Sequence, residues 1–325
     1  MPFFVLNIHY MKLKNILLIL SFTFICLGLF SQQDKLITNF MYDKMSINPG
    51  KTGIDMNNSI CATSIYRNQW DKVNGAPNSA VLNLEGNFLR FFKGGLGLAF
   101  YHDAIGFSRQ NNLLLNYSYP IKIGSIGLLG LGIGLGIMNY GLDPTWVPPT
   151  STIDPSLPLG FAATNLDANF GAYFHGKDFY AGLSSTHLSE SLLKKTVSGV
   201  DQNYQTARHY YLMGGKTFDN VLNGKIDAQV LMRTDLAKFS FDINARYFYT
   251  INDNEFYGGL TYRNSDAIGI LLGYSPFDKF TIGYSYDITI NKLASVSRGS
   301  HEIVLRYCYS IKTPKPVISR NPRFL

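Results

Sequence analysis

Catalysis needs side chains that act together, and this chain scatters the ones that act. Its six histidines include His102, His175, His187, His209 and His301, which are dispersed along the chain. No HExxH, CxxC or GxSxG occurs. Those spacings would place two imidazoles on one helix face, pair two thiols, or expose a serine at a strand-to-helix turn. His102-Asp103 has the make-up of half a catalytic pair or of a polar pair at a strand end, and no Ser or Cys nucleophile is marked out beside it. A hydrolase would need such a nucleophile near His102 or His209. We therefore assign no catalytic residue, no metal ligand and no cofactor. Binding chemistry has better candidates. Arg67, Gln69 and Trp70 stand before Gly75-Ala76-Pro77, and Trp146 stands in a second long connection. Trp and Arg dominate binding hot spots, so these four are candidate partner contacts; the other reading of the tryptophans is an aromatic at headgroup height. A second set, Glu85, Asp227, Arg233, Asp242, Arg246, Asp287 and Arg306, shares one face of successive strand-like runs and reads as a polar network.

Alternation positions both sets. In 238–249, Phe239, Phe241, Ile243, Ala245, Tyr247 and Tyr249 fall on one face, and Ser240, Asp242, Asn244 and Arg246 on the other. Successive strand side chains point to opposite faces, so the segment has one apolar and one polar side. The glycines Gly130, Gly132, Gly134 and Gly136 alternate with Leu131, Ile133 and Leu135 in the same way; this is strand periodicity and not GxGxxG. Fourteen such runs are predicted, at 58–67, 78–91, 94–103, 108–121, 124–140, 164–174, 177–187, 206–216, 224–233, 238–250, 255–264, 267–275, 279–290 and 300–310. The pattern recurs too often for one sandwich core. An even set of strands with an apolar exterior is a transmembrane antiparallel β-barrel in an all-β chain. A charge on the lipid face near the midplane costs roughly 2–4 kcal/mol, which the polar set avoids by facing inward. That interior is either a filled, hydrogen-bonded lumen or a conducting pore.

The ends and connections set the compartment. Met11 opens a secretory leader: Lys12 and Lys14 are basic, 16–30 is apolar, and Gly28 and Ser31 are small, so cleavage is expected near Ser31 or Gln32. Ile25 is too bulky before Cys26 for lipidation, and the apolar stretch is short for a permanent anchor. The connections 69–77, 142–163, 189–206 and 291–299 are long and fall at odd places in the series, while those at even places are tight; two odd ones, near Asp235 and Ser265, are short. Outer-membrane barrels have short periplasmic turns and longer outside loops, so both termini are expected in the periplasm. The expected divisions are 1–31 leader, 32–57 periplasmic N-terminal segment, 58–310 barrel and 311–325 periplasmic tail. The formal charge is +7 with the bases scattered, which suits anionic envelope lipid or a weakly basic surface and not nucleic acid. Cys61 and Cys308 lie early in the first strand and late in the last, both inward, so closure should bring them together near the periplasmic rim; Cα atoms beyond about 7 Å would forbid a bond.

The residues also resemble a known family. Gln32-Gln33-Asp34, Phe40-Met41-Tyr42 and Ile47-Asn48-Pro49 are similar to the opening of the PorP/SprF family of type IX secretion and gliding-motility proteins in Bacteroidetes. Tyr66-Arg67-Asn68-Gln69-Trp70 with Gly75-Ala76-Pro77 resembles its R-x-Q-W…G-A-P segment. Gly95-Leu96-Gly97-Leu98 with Asp103-Ala104-Ile105-Gly106, Asp167-Ala168-Asn169-Phe170-Gly171, Tyr180-Ala181-Gly182-Leu183-Ser184 and Asn321-Pro322-Arg323-Phe324 resemble later parts. Gly50 and Lys51 depart from the Ala and aromatic usual after Asn-Pro. The resemblance implies a non-catalytic outer-membrane barrel whose partners are a secreted adhesin-like substrate, type IX components, or both. A porin or small-molecule transporter is the competing reading.

Overall fold

The computed structural model describes residues 35–56, 58–87, 93–143, 160–190, 192–197 and 200–311. The barrel strands are β1 (Ser59–Asn68), β2 (Asn78–Asn87), β3 (Gly95–Ile105), β4 (Ser108–Ile123), β5 (Gly127–Leu142), β6 (Phe161–Gly176), β7 (Phe179–Thr186), β10 (His209–Val221), β11 (Gly224–Thr234), β12 (Phe239–Ile251), β13 (Asn254–Arg263), β14 (Ala267–Phe277), β15 (Phe280–Thr289) and β16 (Ser300–Ser310). These fourteen close into one barrel of sequential antiparallel neighbours, sealed by β1 against β16. The expected count is met. The connection expected at 189–206 is not open loop: it holds β8 (Leu192–Val197) and β9 (Val200–Gln205), a separate two-stranded sheet.

Period-two patterning makes these strands and aims them. On β12, Phe239, Ile243 and Tyr249 are exposed on the outer wall while Asp242, Asn244 and Arg246 are buried inside. On β15, Ile282, Tyr284 and Ile288 face out and Ser285, Asp287 and Thr289 face in. The exposed set of Leu, Ile, Phe and Tyr continues round the wall, an apolar exterior suited to lipid.

The two rims differ. At the rim where β1 begins and β16 ends, strands turn at 124–126, 177–178, 222–223, 252–253 and 278–279. Leu222 with Asn223 and Asn252 with Asp253 have positive φ at both central positions, the geometry that lets a two-residue turn follow the strand twist. The opposite rim carries 69–77, 143–160, 187–208 and 290–299, along with short connections at 106–107, 235–238 and 264–266. We call these the turn rim and the loop rim. Cys61 and Cys308 are register partners near the turn rim and are joined by a disulfide, Cα atoms 4.0 Å apart.

The interior is a packed core. Residues 35–56, part of the segment the sequence assigns to the periplasmic side without deciding whether it enters the barrel, lie in the lumen. The segment contains a 3-10 turn Phe40–Tyr42, a short helix Lys44–Ile47 and a second 3-10 turn Pro49–Lys51. Its apolar residues explain the placement. Phe40, Ile47 and Ile54 pack on Tyr173, Tyr211, Met213 and Leu231. Ile37 packs on Ile65, Val81, Tyr101 and Val304, and Met45 on Ala99 and Leu114. Each contact removes apolar surface from water at both partners.

Candidate functional site

The site is the lumenal segment, the wall that grips it, and the mouth above it. Near the loop rim the grip is ionic. Glu302 on β16 is fully buried. Its carboxylate accepts the backbone N–H of Thr38 at 2.8 Å and of Asn39 at 2.7 Å, and Asn39 Nδ2 at 2.8 Å. Arg67 Nη1 donates to the same group at 3.2 Å. Asp287 on β15 accepts Thr38 Oγ1 at 2.6 Å and Arg67 Nη2 at 2.8 Å. Arg263 donates to Thr38 Oγ1 at 3.0 Å and Nε of the same residue to Asp242 at 3.1 Å, and Arg233 pairs with Asp242. Charges this buried survive only when paired and hydrogen-bonded, and here backbone N–H groups of the segment complete the set. The segment is thus a structural member of the charge network.

Lower in the lumen the grip is partly steric. Lys51 meets Glu85 at 2.6 Å and Asp55 at 3.1 Å, and Gly53 N donates to Glu85 at 3.2 Å. Asn83 Nδ2 donates to Asp43 at 2.7 Å, and Lys35 pairs with Asp43 at 3.1 Å. Asn48 Nδ2 reaches the carbonyls of Ala172 at 3.0 Å and Leu183 at 3.2 Å. The glycine face of β5 looks inward at this level. A Cβ added at Gly132 would stand 2.3 Å from the Pro49 carbonyl carbon and 2.4 Å from Gly50 N. The alternating glycines therefore make room for the Asn48-Pro49-Gly50 turn. The converse also holds: a Cβ on Gly50 would lie 2.7 Å from the Gly130 carbonyl oxygen.

Most of the acids and bases read as a lumen network do face inward, and they pair along the wall more than across it. Asp227 pairs with its register partner Arg246 at 2.6 Å, and Arg233 with Asp242 on the adjacent strand. Glu85 and Asp287 bind the segment. Arg306 sits inward beside the disulfide, its Nε 3.4 Å from Cys308 Sγ, and joins none of the ion pairs found among the described residues.

The candidate partner contacts separate. Arg67 and Gln69, 1% and 3% exposed, are lumenal and do not reach an outside surface. Trp70 does stand at the mouth, in a left-handed backbone conformation with its N–H on Ser300 Oγ at 3.1 Å. It borders two hollows: one of about 300 Å³ over Leu36, Arg233, Asp235, Arg263 and Asn291, and one of about 460 Å³ along 71–76 and Arg109. Trp146 lies outside the described residues, as do the leader and nearly all of the C-terminal tail. His102 Nδ1 donates to Asn111 Oδ1, 2.7 Å away. No cluster of three or more His, Cys, Asp or Glu able to hold a metal occurs among the described residues.

Sequence reasoning missed Thr38, Asn39, Arg263 and Glu302. For Glu302 a signal existed: it shares strand parity with Arg306 and Cys308, both read as inward. Arg67 likewise shares parity with Cys61. The apolar inward residues gave no such warning, because an alternating barrel strand is expected to be polar inside.

Solved structures of similar fold include the CymD monoaromatic hydrocarbon channel, with TM-score 0.50, 12% identity, and 84% of this chain and 93% of that chain covered. The toluene transporter TbuX of Ralstonia pickettii has TM-score 0.52 and 12% identity, with coverage of 82% and 93%. At such identity the likeness is one of fold. No curated protein matches the chain. A family model described as type IX secretion system membrane protein PorP/SprF matches residues 29–307. With nearly the whole barrel and its lumenal segment inside that match, the chain belongs to the PorP/SprF family of type IX secretion system membrane proteins.

Proposed function

We propose that this outer-membrane barrel is a non-enzymatic docking component of type IX secretion or gliding motility. It supports export or surface attachment of a cognate secreted protein, or links the barrel to periplasmic parts of the machine. The loop rim faces the outside and the turn rim the periplasm, in keeping with the long and short connections. A cleaved leader delivers it. Trp70 and its two hollows offer the outside contact, and Trp146 remains a candidate there; a rigid aromatic beside open hollows at a rim suits a binding anchor.

The observation that carries this reading is the filled lumen. A porin needs a continuous aqueous path, and here residues 35–56 occupy it with buried apolar clusters and buried ion pairs. The competing reading, a porin or small-molecule transporter, draws on the fold shared with the two hydrocarbon-handling barrels. Fold alone does not assign a function. Isolation of the tagged full-length barrel from detergent-solubilised outer membranes, with mass spectrometry of what co-purifies, separates the two. A large secreted protein or a type IX component recovered with wild type and lost on Trp70→Ala supports docking. Recovery of the barrel alone, together with uptake of a small solute, supports transport.

A further inference from the structure

The connection 69–77, which walls the second hollow beside Trp70, is fastened along its length. Within it, Gln69 N donates to the Pro77 carbonyl at 3.0 Å, Val73 N to the Trp70 carbonyl at 3.0 Å and Ala76 N to the Val73 carbonyl at 3.1 Å. It is tied to its neighbours on both sides. Asp71 N donates to the Gly299 carbonyl at 2.7 Å, Arg298 N to the Asp71 carbonyl at 2.9 Å, and Gly106 N to the Gly75 carbonyl at 2.9 Å. Two residues that are not glycine, Trp70 and Lys72, are held at φ 50° and 72°. That region is disfavoured for bulky side chains. Such conformations persist where the surroundings over-determine them, and they cluster at ligand clamps and active sites. The backbone groups of the loop are thus engaged in holding its shape, while several of its side chains are not. Asn68, Asp71 and Asn74 have no side-chain hydrogen bond or ion pair among the described residues. Asn78 uses its Nδ2 on the Ala76 carbonyl at 3.3 Å and keeps its amide oxygen.

We propose that this hollow, about 460 Å³ between Trp70 and Arg109, is a binding site for a neutral saccharide. Its chemistry selects that class. The face of an indole is electron-rich and attracts polarised C–H bonds, and a pyranose ring presents a face of such bonds. A sugar hydroxyl both donates and accepts, and so does a side-chain amide; Asn68, Asn74 and Asn78 supply three of these. Asp71 and Arg109 are each forked and match two adjacent hydroxyls. Asp71 stands against Lys72 and Arg109, so the charges nearly cancel and no strongly charged ligand is favoured. The neighbouring hollow differs, with Leu36, Phe239 and Leu293 in its lining. Small-molecule sites span roughly 300–1,000 Å³, and a wall formed in advance leaves little ordering cost. The site goes beyond the docking role: it needs neither a protein partner nor a particular orientation of the barrel.

Tryptophan fluorescence of the purified full-length barrel, in a detergent without a sugar headgroup, tests it. The probes are glucose, galactose, mannose and N-acetylglucosamine, each as the monosaccharide and as a linear trisaccharide, with sodium phosphate as the charged comparison. The expected result is a saturable change with at least one sugar and none with phosphate. The change persists in Trp146→Phe and disappears in Trp70→Phe, which locates it. Asp71→Ala weakens the same sugar by about tenfold, and Asn74→Ala, at an exposed position where folding is not at stake, by about threefold. Tighter binding of the trisaccharide marks a polymeric glycan as the source, and equal binding marks a free sugar; both support the site. No saturable change with any sugar, a response to phosphate alone, a change that follows Trp146, or full affinity in both Asp71→Ala and Asn74→Ala overturns the proposal. Such a failure leaves the docking role standing, because co-purification reads a protein partner and this titration a sugar on the bare barrel.

Discussion

Replacing Glu302 by Gln should loosen the lumenal segment without altering the outer wall. The carboxylate is fully buried and accepts four hydrogen bonds: three from Thr38 and Asn39, and one from Arg67. Gln is nearly isosteric but neutral, and its amide nitrogen cannot accept. One or more of the N–H groups loses its partner, and Arg67, itself 1% exposed, keeps Asp287 as its one remaining ion-pair partner among the described residues, with Thr38 Oγ1 as a neutral acceptor. Breaking a buried pair by removing one member costs roughly 3–5 kcal/mol. Charged against the seated state alone, that is about a hundredfold to a few thousandfold in the seating equilibrium. The segment contains Lys35, Lys44 and Lys51, with Lys51 paired and 4% exposed. Trypsin should cut there only when the segment leaves its seat, so at low protease the cleavage rate tracks the unseated population. The comparison is Glu255→Gln, which removes a partly exposed partner of Lys225 and should change the rate by about fivefold at most. Cleavage of Glu302→Gln within fivefold of wild type, with the fragments mapped to residues 35–56, would refute the claim that this cage holds the segment.

Other outcomes follow from the same geometry. Gly132→Val places carbon atoms where the Asn48-Pro49-Gly50 turn passes, and overpacking of this kind costs about 1–3 kcal/mol; the same protease assay should show faster cleavage, and an unchanged rate would remove the steric role given to the glycine face. Ile243→Arg puts a charge on the outer wall of β12, where Ile243 is 50% exposed, and should lower barrel stability by roughly 2–4 kcal/mol in urea unfolding from lipid vesicles, while Asn244→Ser on the opposite face should change it far less. Reducing the Cys61–Cys308 bond should lower the unfolding midpoint in denaturant by an amount equivalent to about 2–4 kcal/mol, since the bond links strands 247 residues apart; an unchanged midpoint would mean the β1–β16 ladder alone fixes the seam.

The wall was legible in the sequence because lipid and lumen impose opposite demands on neighbouring side chains. Phe239 to Tyr249 reads directly as one strand with an apolar face out, and the strand number follows from repetition of that pattern. Some connections were nearly as legible, since a two-residue turn leaves its mark in Asn252-Asp253, whereas the turn at Leu222-Asn223 was not: its strand runs to Val221, past the expected end at 216. The β8–β9 hairpin was missed because it lies off the barrel and lacks the lipid-facing alternation. The lumen was only half legible. Asp242, Arg246 and Asp287 announce an inward polar face, but Ile65, Val81, Leu114, Leu231 and Val304 break it, and their reason lies in Ile37, Phe40, Met45 and Ile47, remote in sequence for most of them. Arg67 and Trp70 were read together because both are common in binding hot spots. Strand parity separates them: Arg67 follows Cys61, Thr63 and Ile65 inward, and Trp70 lies beyond the end of β1.

Single-channel recording of the purified full-length barrel in a planar bilayer tests the central claim most directly. A lumen filled by residues 35–56 predicts no steady open level in wild type, with openings appearing when the grip is weakened in Glu302→Gln. A steady, large conductance from the wild-type protein would contradict it.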